Sequence, residues 1–328
     1  MADALSLARA LADPTTLRLD TDWTGLIATA RAEQLVGTLA WRLHGLPLPE
    51  PVALLLAEAR AAAEGARRTA LWEAEMARRA LAPLGCPVVL LKGTAYVAAG
   101  LMAGQGRSIG DLDILVPRGS LDAVEAALLA AGWEWVKPDP YDDAYYRRWM
   151  HELPPLIHGE RDRMIDVHHT ILPLTARITP DAEALVAAAQ PLANGLLVLS
   201  AQDMICHAAA HLFADGDLTG GLRNVWDIHC LLTEFGSDGL ANRAARHGLD
   251  VSVRRAARHA AGLFGTDVPG NWRRSDALDP WIRRRLLARD GWGRATRPAT
   301  RFAFYVRSHW LRMPPAMLAR HLWTKAWR

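Results

Sequence analysis

Cysteine is scarce: Cys86, Cys206 and Cys230 are the only three in 328 residues. They are far apart and odd in number, so neither a disulfide framework nor a CxxC-type zinc or redox centre is written here, and a reducing, cytoplasmic setting is expected. Long apolar runs are missing too. The stretch at 88–91 is stopped by Lys92, far short of the roughly 18 residues a membrane-spanning helix needs. The first twenty residues carry early acids and lack the basic start, apolar run and cleavage site of an export signal, so no export is expected. There is no low-complexity tract, no internal repeat and no GxSxG elbow, and hydrolase chemistry has nothing to start from. What remains, 51% apolar and 22% charged residues, describes a globular chain able to bury a sizeable core as one large domain or two ordinary ones.

Acids are also absent beyond Asp290. Residues 271–328 hold 14 Lys/Arg against three Asp, a net of +11, whereas residues 1–270 hold 24 basic and 32 acidic residues, a net of −8. The stretch 301–328 interleaves Phe302, Phe304, Tyr305, Trp310, Trp323 and Trp327 with Arg307, Arg312, Arg320 and Lys325. Three readings stand for it. It is a helical pair, split at Met313-Pro314-Pro315, with its aromatics on the core; or it meets an anionic membrane surface or a protein partner; or it meets nucleic acid. The acidic body argues against a large nucleic-acid groove, which needs a positive face.

Hydrophobic periodicity predicts helices over 2–84, divided at Pro47, Pro49 and Pro51. The period then changes. Residues 87–91 read as a short buried strand ending at a Lys92-Gly93-Thr94 turn, followed by a helix over 95–102. A loop over 104–110 leads to a strand over 111–116, closed by Pro117, and then a helix over 121–131. Further strands are expected at 133–136, 156–158 and 164–168. Beyond Ser200 the pattern is helical again over 201–213, 222–235 and 251–264, with Gly236 and Gly265 as terminators. The expected fold class is α+β. Its parts are a helical segment at 1–84, an α/β core at 85–200, a helical domain at 201–290 and a basic aromatic tail at 291–328.

Within the core, Asp111 and Asp113 are two apart on a strand, so both carboxylates project from one face. Adjacent like charges in an apolar strand demand a neutraliser, most simply a divalent metal such as Mg²⁺. Asp166, on another short strand, joins the same face if the two strands pair, and three carboxylates suffice for two metal ions. Upstream, a glycine at a strand-to-helix turn exposes backbone N–H groups to an anion such as a triphosphate.

The run Leu91-Lys-Gly-Thr, then Arg107-Ser-Ile-Gly-Asp-Leu-Asp-Ile-Leu-Val116, then Ile165-Asp-Val-His168, resembles the uncharacterised nucleotidyltransferase family of the DNA polymerase β-like nucleotidyltransferase superfamily. The resemblance covers about 85–235 and continues through 199–211 and 222–229. It implies a mixed sheet with flanking helices that binds an NTP and two Mg²⁺. Gly93-Thr94 match the superfamily's Gly-Ser or Gly-Gly, and Asp111, Asp113 and Asp166 match its metal-binding carboxylates. Thr94 is a departure from that pattern, as are the sixteen residues between it and Asp111. The implied reaction moves an NMP from the NTP to an unidentified acceptor and releases pyrophosphate, with Lys92 and Arg107 neutralising the triphosphate. The alternative is a non-catalytic nucleotide-binding or partner-binding scaffold.

Weaker signals have bland readings. His207 and His211 share a helix face at ligand spacing, but Ala208 stands where a zincin has Glu, so a packed helical pair near the cleft is expected. His168 shares the strand face of Asp166 and reads either as a residue near substrate or as a polar strand end. Asp215, Asp217 and Asp227 read as loop residues and a solvated helix face.

Overall fold

The computed structural model describes residues 3–312. Four helices come first: α1 (Ala4–Ala12), α2 (Trp23–Ala32), α3 (Val36–Arg42) and α4 (Glu50–Leu81). The 32 residues of α4 are rich in alanine, leucine, glutamate and arginine, with Pro51 in the first turn, where a missing N–H costs nothing. A stripe of Val52, Leu56, Ala70, Glu73, Ala74, Ala77 and Leu81 is buried, and the other residues of α4 are partly or fully exposed.

The core then alternates strands and helices: β1 (Val89–Leu90), α5 (Lys92–Ala98), β2 (Asp111–Leu115), α6 (Leu121–Ala130), β3 (Trp133–Trp135), α7 (Pro140–Trp149), β4 (Leu156–His158), β5 (Arg163–His168), α8 (Ala182–Ala187), β6 (Gln190–Pro191) and β7 (Leu197–Val198). The strands form one mixed sheet in the order β3-β4-β5-β2-β1-β7-β6. The central pair, β2 and β5, is parallel, with Asp113 opposite Asp166 and Ile114 opposite Val167. β1 runs antiparallel to β2 and parallel to β7.

Helices close the chain: α9 (Ala201–Ala210) with a π turn at His211–Asp215, α10 (Gly221–Phe235), α11 (Leu240–Arg246), α12 (Asp250–Phe264), α13 (Asp279–Leu286) and α14 (Pro298–Arg312). Gly236 and Gly265 cap α10 and α12, as their positions predict. The fold is α+β, and one buried cluster runs from Ala4 through the sheet to Phe304.

Local expectations meet three corrections. The strand at 87–91 shrinks to Val89–Leu90, although the Leu91 N–H still bonds the Asp113 carbonyl at 3.0 Å. Lys92-Gly93-Thr94 is not a turn ahead of a helix but the first turn of α5 itself, with Lys92 at φ 48° in the left-handed region. The helix expected over 201–213 gives way to the π turn after Ala210. The Met313-Pro314-Pro315 split and the rest of 313–328 lie outside the described residues.

The N-terminal helices also shape the loop that delivers Asp111. Gly106, at φ +64°, lies so close to α3 that a Cβ on it would overlap the Gly37 carbonyl. Thr38 Oγ1 donates to the Gln105 carbonyl alongside, at 3.3 Å.

Candidate active site

β2 begins at the solvent with Asp111 and becomes buried at Asp113, which is 3% exposed. The parallel register brings Asp166 of β5 beside it, so carboxylate oxygens of Asp111, Asp113 and Asp166 all lie within 4.8 Å of one another. Lys92, at the head of α5, donates from Nζ to Asp113 Oδ1 at 2.6 Å, and His168 Nε2 lies 3.0 Å from the same oxygen. Lys92 is thus a half-buried partner of Asp113, at the head of α5.

The electrostatics divide the cluster. Burial alone would push the Asp113 carboxyl up, but the Lys92 ammonium and the His168 hydrogen bond prevail and hold it well below the usual range. Asp166 goes the other way: burial, then the charges on Asp113 and Glu152, push it up to about 7. Negative charge is therefore in excess at Asp166, and the donors are hard oxygens from neighbouring strands. The residues present fit a divalent cation such as Mg²⁺.

A cleft of about 490 Å³ adjoins the cluster. Asp111 and Lys92 stand on its wall with Arg107, His207, His211, Arg223 and Arg289. Gly93 and Thr94 are buried beneath it. A Cβ on Gly93 would stand 2.6 Å from Arg107 Nε, so the glycine leaves room for that guanidinium. Arg107 lies over the Tyr96 ring, 5.5 Å from its centroid, and pairs with Asp227 of α10. His207 is held neutral by burial and by Lys92 and His211 nearby, as suits a packed residue at the edge of the cleft. A second cavity, of about 540 Å³, opens at the other end of β2 among Pro117, Leu172 and Ile178; its lining is mostly apolar.

Asp227 corrects the sequence expectation. It is buried, not solvated, accepts a hydrogen bond from Arg107 and forms an ion pair with Arg223, whose Nη2 lies 3.0 Å from Oδ1. Arg223 also donates to Thr38 Oγ1 at 2.6 Å and to the Ala103 carbonyl at 2.9 Å, so one side chain joins α3, the loop before β2 and α10. The i,i+4 spacing of Arg223 and Asp227 was a usable signal; nothing local marked Arg107 as their partner. Because two guanidinium groups share this carboxylate, Asp227→Asn is expected to cost about 3 kcal/mol of stability. Urea unfolding of the variant against wild type measures it, and a change within experimental error would show that the cluster is not needed for folding.

His151 and Glu152 also went unread. They lie in a segment with no apolar period, yet they end up beside His168, with one ligand atom of each of the three within 4.8 Å of the others.

The sequence profile of the uncharacterised nucleotidyltransferase family matches residues 20–265, three quarters of the chain. No curated protein matches it. Among solved structures, that titled "Solution Structure of Antibiotic-Resistance Factor ANT(2'')-Ia Reveals Substrate-Regulated Conformation Dynamics" is similar at 14% identity, covering 56% of this chain and 95% of that one with a TM-score of 0.37. So slight a likeness carries no argument about the site. The profile match, over a span that includes Asp111, Asp113 and Asp166, is the decisive finding: the chain belongs to the uncharacterised nucleotidyltransferase family.

Proposed function

We propose that this chain moves an NMP from an NTP to an acceptor oxygen in a Mg²⁺-dependent reaction that releases pyrophosphate. The observation that supports it is the pairing of β2 with β5, which gathers Asp111, Asp113 and Asp166 next to a cleft walled by cations. In this reading the three carboxylates hold two Mg²⁺, which when bound offset the charge of the triphosphate and of the attacking oxygen. Lys92 and Arg107 face the triphosphate from the same wall, and Gly93 and Thr94 shape the backbone beneath them. The acceptor oxygen bonds to the α-phosphorus as the bond to the bridging oxygen of pyrophosphate breaks.

The test is incubation of the purified chain with each α-labelled NTP and Mg²⁺, alone and with host lysate, beside Asp111→Asn/Asp113→Asn. Label that appears on a protein, RNA or small molecule with wild type alone supports the reading and identifies the acceptor class. Mg²⁺-dependent NTP binding without label from any sample would leave a nucleotide-binding scaffold instead.

The charged tail adds a partner to the proposal. Phe302, Tyr305, Val306 and Trp310 of α14 are each about half exposed or more, on a helix that also carries Arg301, Arg307 and Arg312. No described helix is long and apolar enough to cross a membrane. This surface suits peripheral contact with an anionic bilayer. Co-sedimentation with phosphatidylserine vesicles is expected at low salt and is expected to weaken at 0.5 M NaCl; undiminished binding after removal of 301–328 would sink it.

A further inference from the structure

A second group of ligand-type side chains stands on the other side of His168 from the carboxylates. The backbone of 151–153 lies antiparallel to the end of β5: Glu152 bridges His168, Leu153 N–H bonds the Val167 carbonyl and His169 N–H bonds the His151 carbonyl, each at 2.9 Å. This places His168 Nδ1 at 3.4 Å and His151 Nε2 at 3.7 Å from the same oxygen, Glu152 Oε2. The two imidazole centroids are 5.2 Å apart.

Those separations are long for charge-assisted hydrogen bonds, which close to about 2.7–2.9 Å. They are close to the spacing of ligands around a tetrahedral ion, since bonds of about 2.0–2.1 Å set neighbouring donors about 3.3 Å apart. The His168 nitrogen that faces Glu152 is also unclaimed. His168 is 2% exposed and uses Nε2 on Asp113, yet its buried Nδ1 has no hydrogen-bond partner. Buried polar atoms are rarely left so. Four carboxylates, on Asp111, Asp113, Asp166 and Glu152, gather here with Lys92, so the region accommodates more positive charge.

We propose that His151, Glu152 and His168 form a zinc site, distinct from the Asp111–Asp113–Asp166 cluster. Two imidazoles and one carboxylate are the donors zinc favours, with one position left for water, whereas three carboxylates suit Mg²⁺. Asp113 completes the arrangement. By accepting from His168 Nε2–H it sets the tautomer that turns the Nδ1 lone pair toward Glu152, the outer carboxylate contact that ligating histidines usually make. The zinc then pins His168 and, through it, Asp113 Oδ1, so it has a positioning role beside the carboxylates. The inference does not depend on nucleotidyl transfer.

The full chain, purified without a histidine tag and stripped with dipicolinic acid, is titrated with Zn²⁺ against a chromophoric chelator and separately with Co²⁺. One zinc per chain is expected, with the intense visible bands of four-coordinate cobalt. Asp111→Asn is expected to keep both signals. His151→Gln and Glu152→Gln are each expected to lose more than the about 10–100-fold in affinity that an outer-sphere partner costs. Circular dichroism checks folding, and Glu152→Gln carries the test if His151→Gln does not fold. Absence of stoichiometric zinc in wild type overturns the proposal. So does a cobalt spectrum that survives in both His151→Gln and Glu152→Gln but disappears in Asp111→Asn, which would place the ion on the carboxylate cluster.

Discussion

Asp166→Asn is expected to lower nucleotidyl transfer by about 10³-fold or more and, in the chelator-treated chain at pH 8, to raise the melting temperature by about 5 °C. Both effects come from one cause. Asp166 sits opposite Asp113 in the β2–β5 register, and burial together with the charges of Asp113 and Glu152 pushes its carboxyl from 3.8 to about 7. A group whose folded pKa is raised contributes stability that is complete below its unfolded value and is lost as the pH rises through about 7. At pH 8 the ionised carboxylate therefore weighs against folding. Three units of pKa correspond to about 4 kcal/mol, and partial solvent contact and coupling to Asp113 reduce this to about 2 kcal/mol. Asparagine keeps the shape and removes the charge, so the fold gains what the reaction loses. Scanning fluorimetry in EDTA and the labelled-transfer assay measure the two halves. A lower melting temperature together with unchanged transfer would make Asp166 a structural residue.

Acidification is expected to destabilise the chain steeply below pH 6.5, with His229 and His259 together accounting for about 3 kcal/mol between pH 6.5 and 5. His229 packs between Trp226 and Phe264, with Nδ1 2.8 Å from Thr266 Oγ1; His259 stacks on Phe213. Burial, chiefly, lowers each from 6.5 to about 4. In the unfolded chain both imidazoles protonate near 6.5, in the folded chain only near 4, so between those values the unfolded state holds more protons. The stability they contribute is whole above 6.5 and is lost as the pH falls toward about 4. Glu33 and Asp166, both raised, titrate in the opposite sense, so the total slope mixes several groups. The discriminating measurement compares urea midpoints at pH 5 to 7 for wild type and His229→Gln/His259→Gln. The variant is expected to show a slope shallower by up to two protons, and equal slopes would remove these histidines from the account.

Much of the core was legible because it is encoded within a few residues. Strand alternation put Asp111 and Asp113 on one face whatever the surrounding fold, and glycine at positive φ ended α10 and α12 where expected. Elements with little apolar period, such as α13 and the two-residue strands β6 and β7, left no such mark, because neighbouring surfaces rather than their own residues hold them. Lys92 in the left-handed region is likewise a product of context, with Asp113 as its partner.

By itself the sequence determined the α+β class, the strand carrying two carboxylates and the third aspartate that could join them. Only the tertiary structure decided which charges meet. Arg107 finds Asp227 across 120 residues, Arg223 reaches back to Thr38 on α3, and the unmarked pair His151 and Glu152 arrives beside His168. Side-chain period is a local property of backbone geometry, whereas the partner of a buried charge is set by which distant elements pack around it and exclude water.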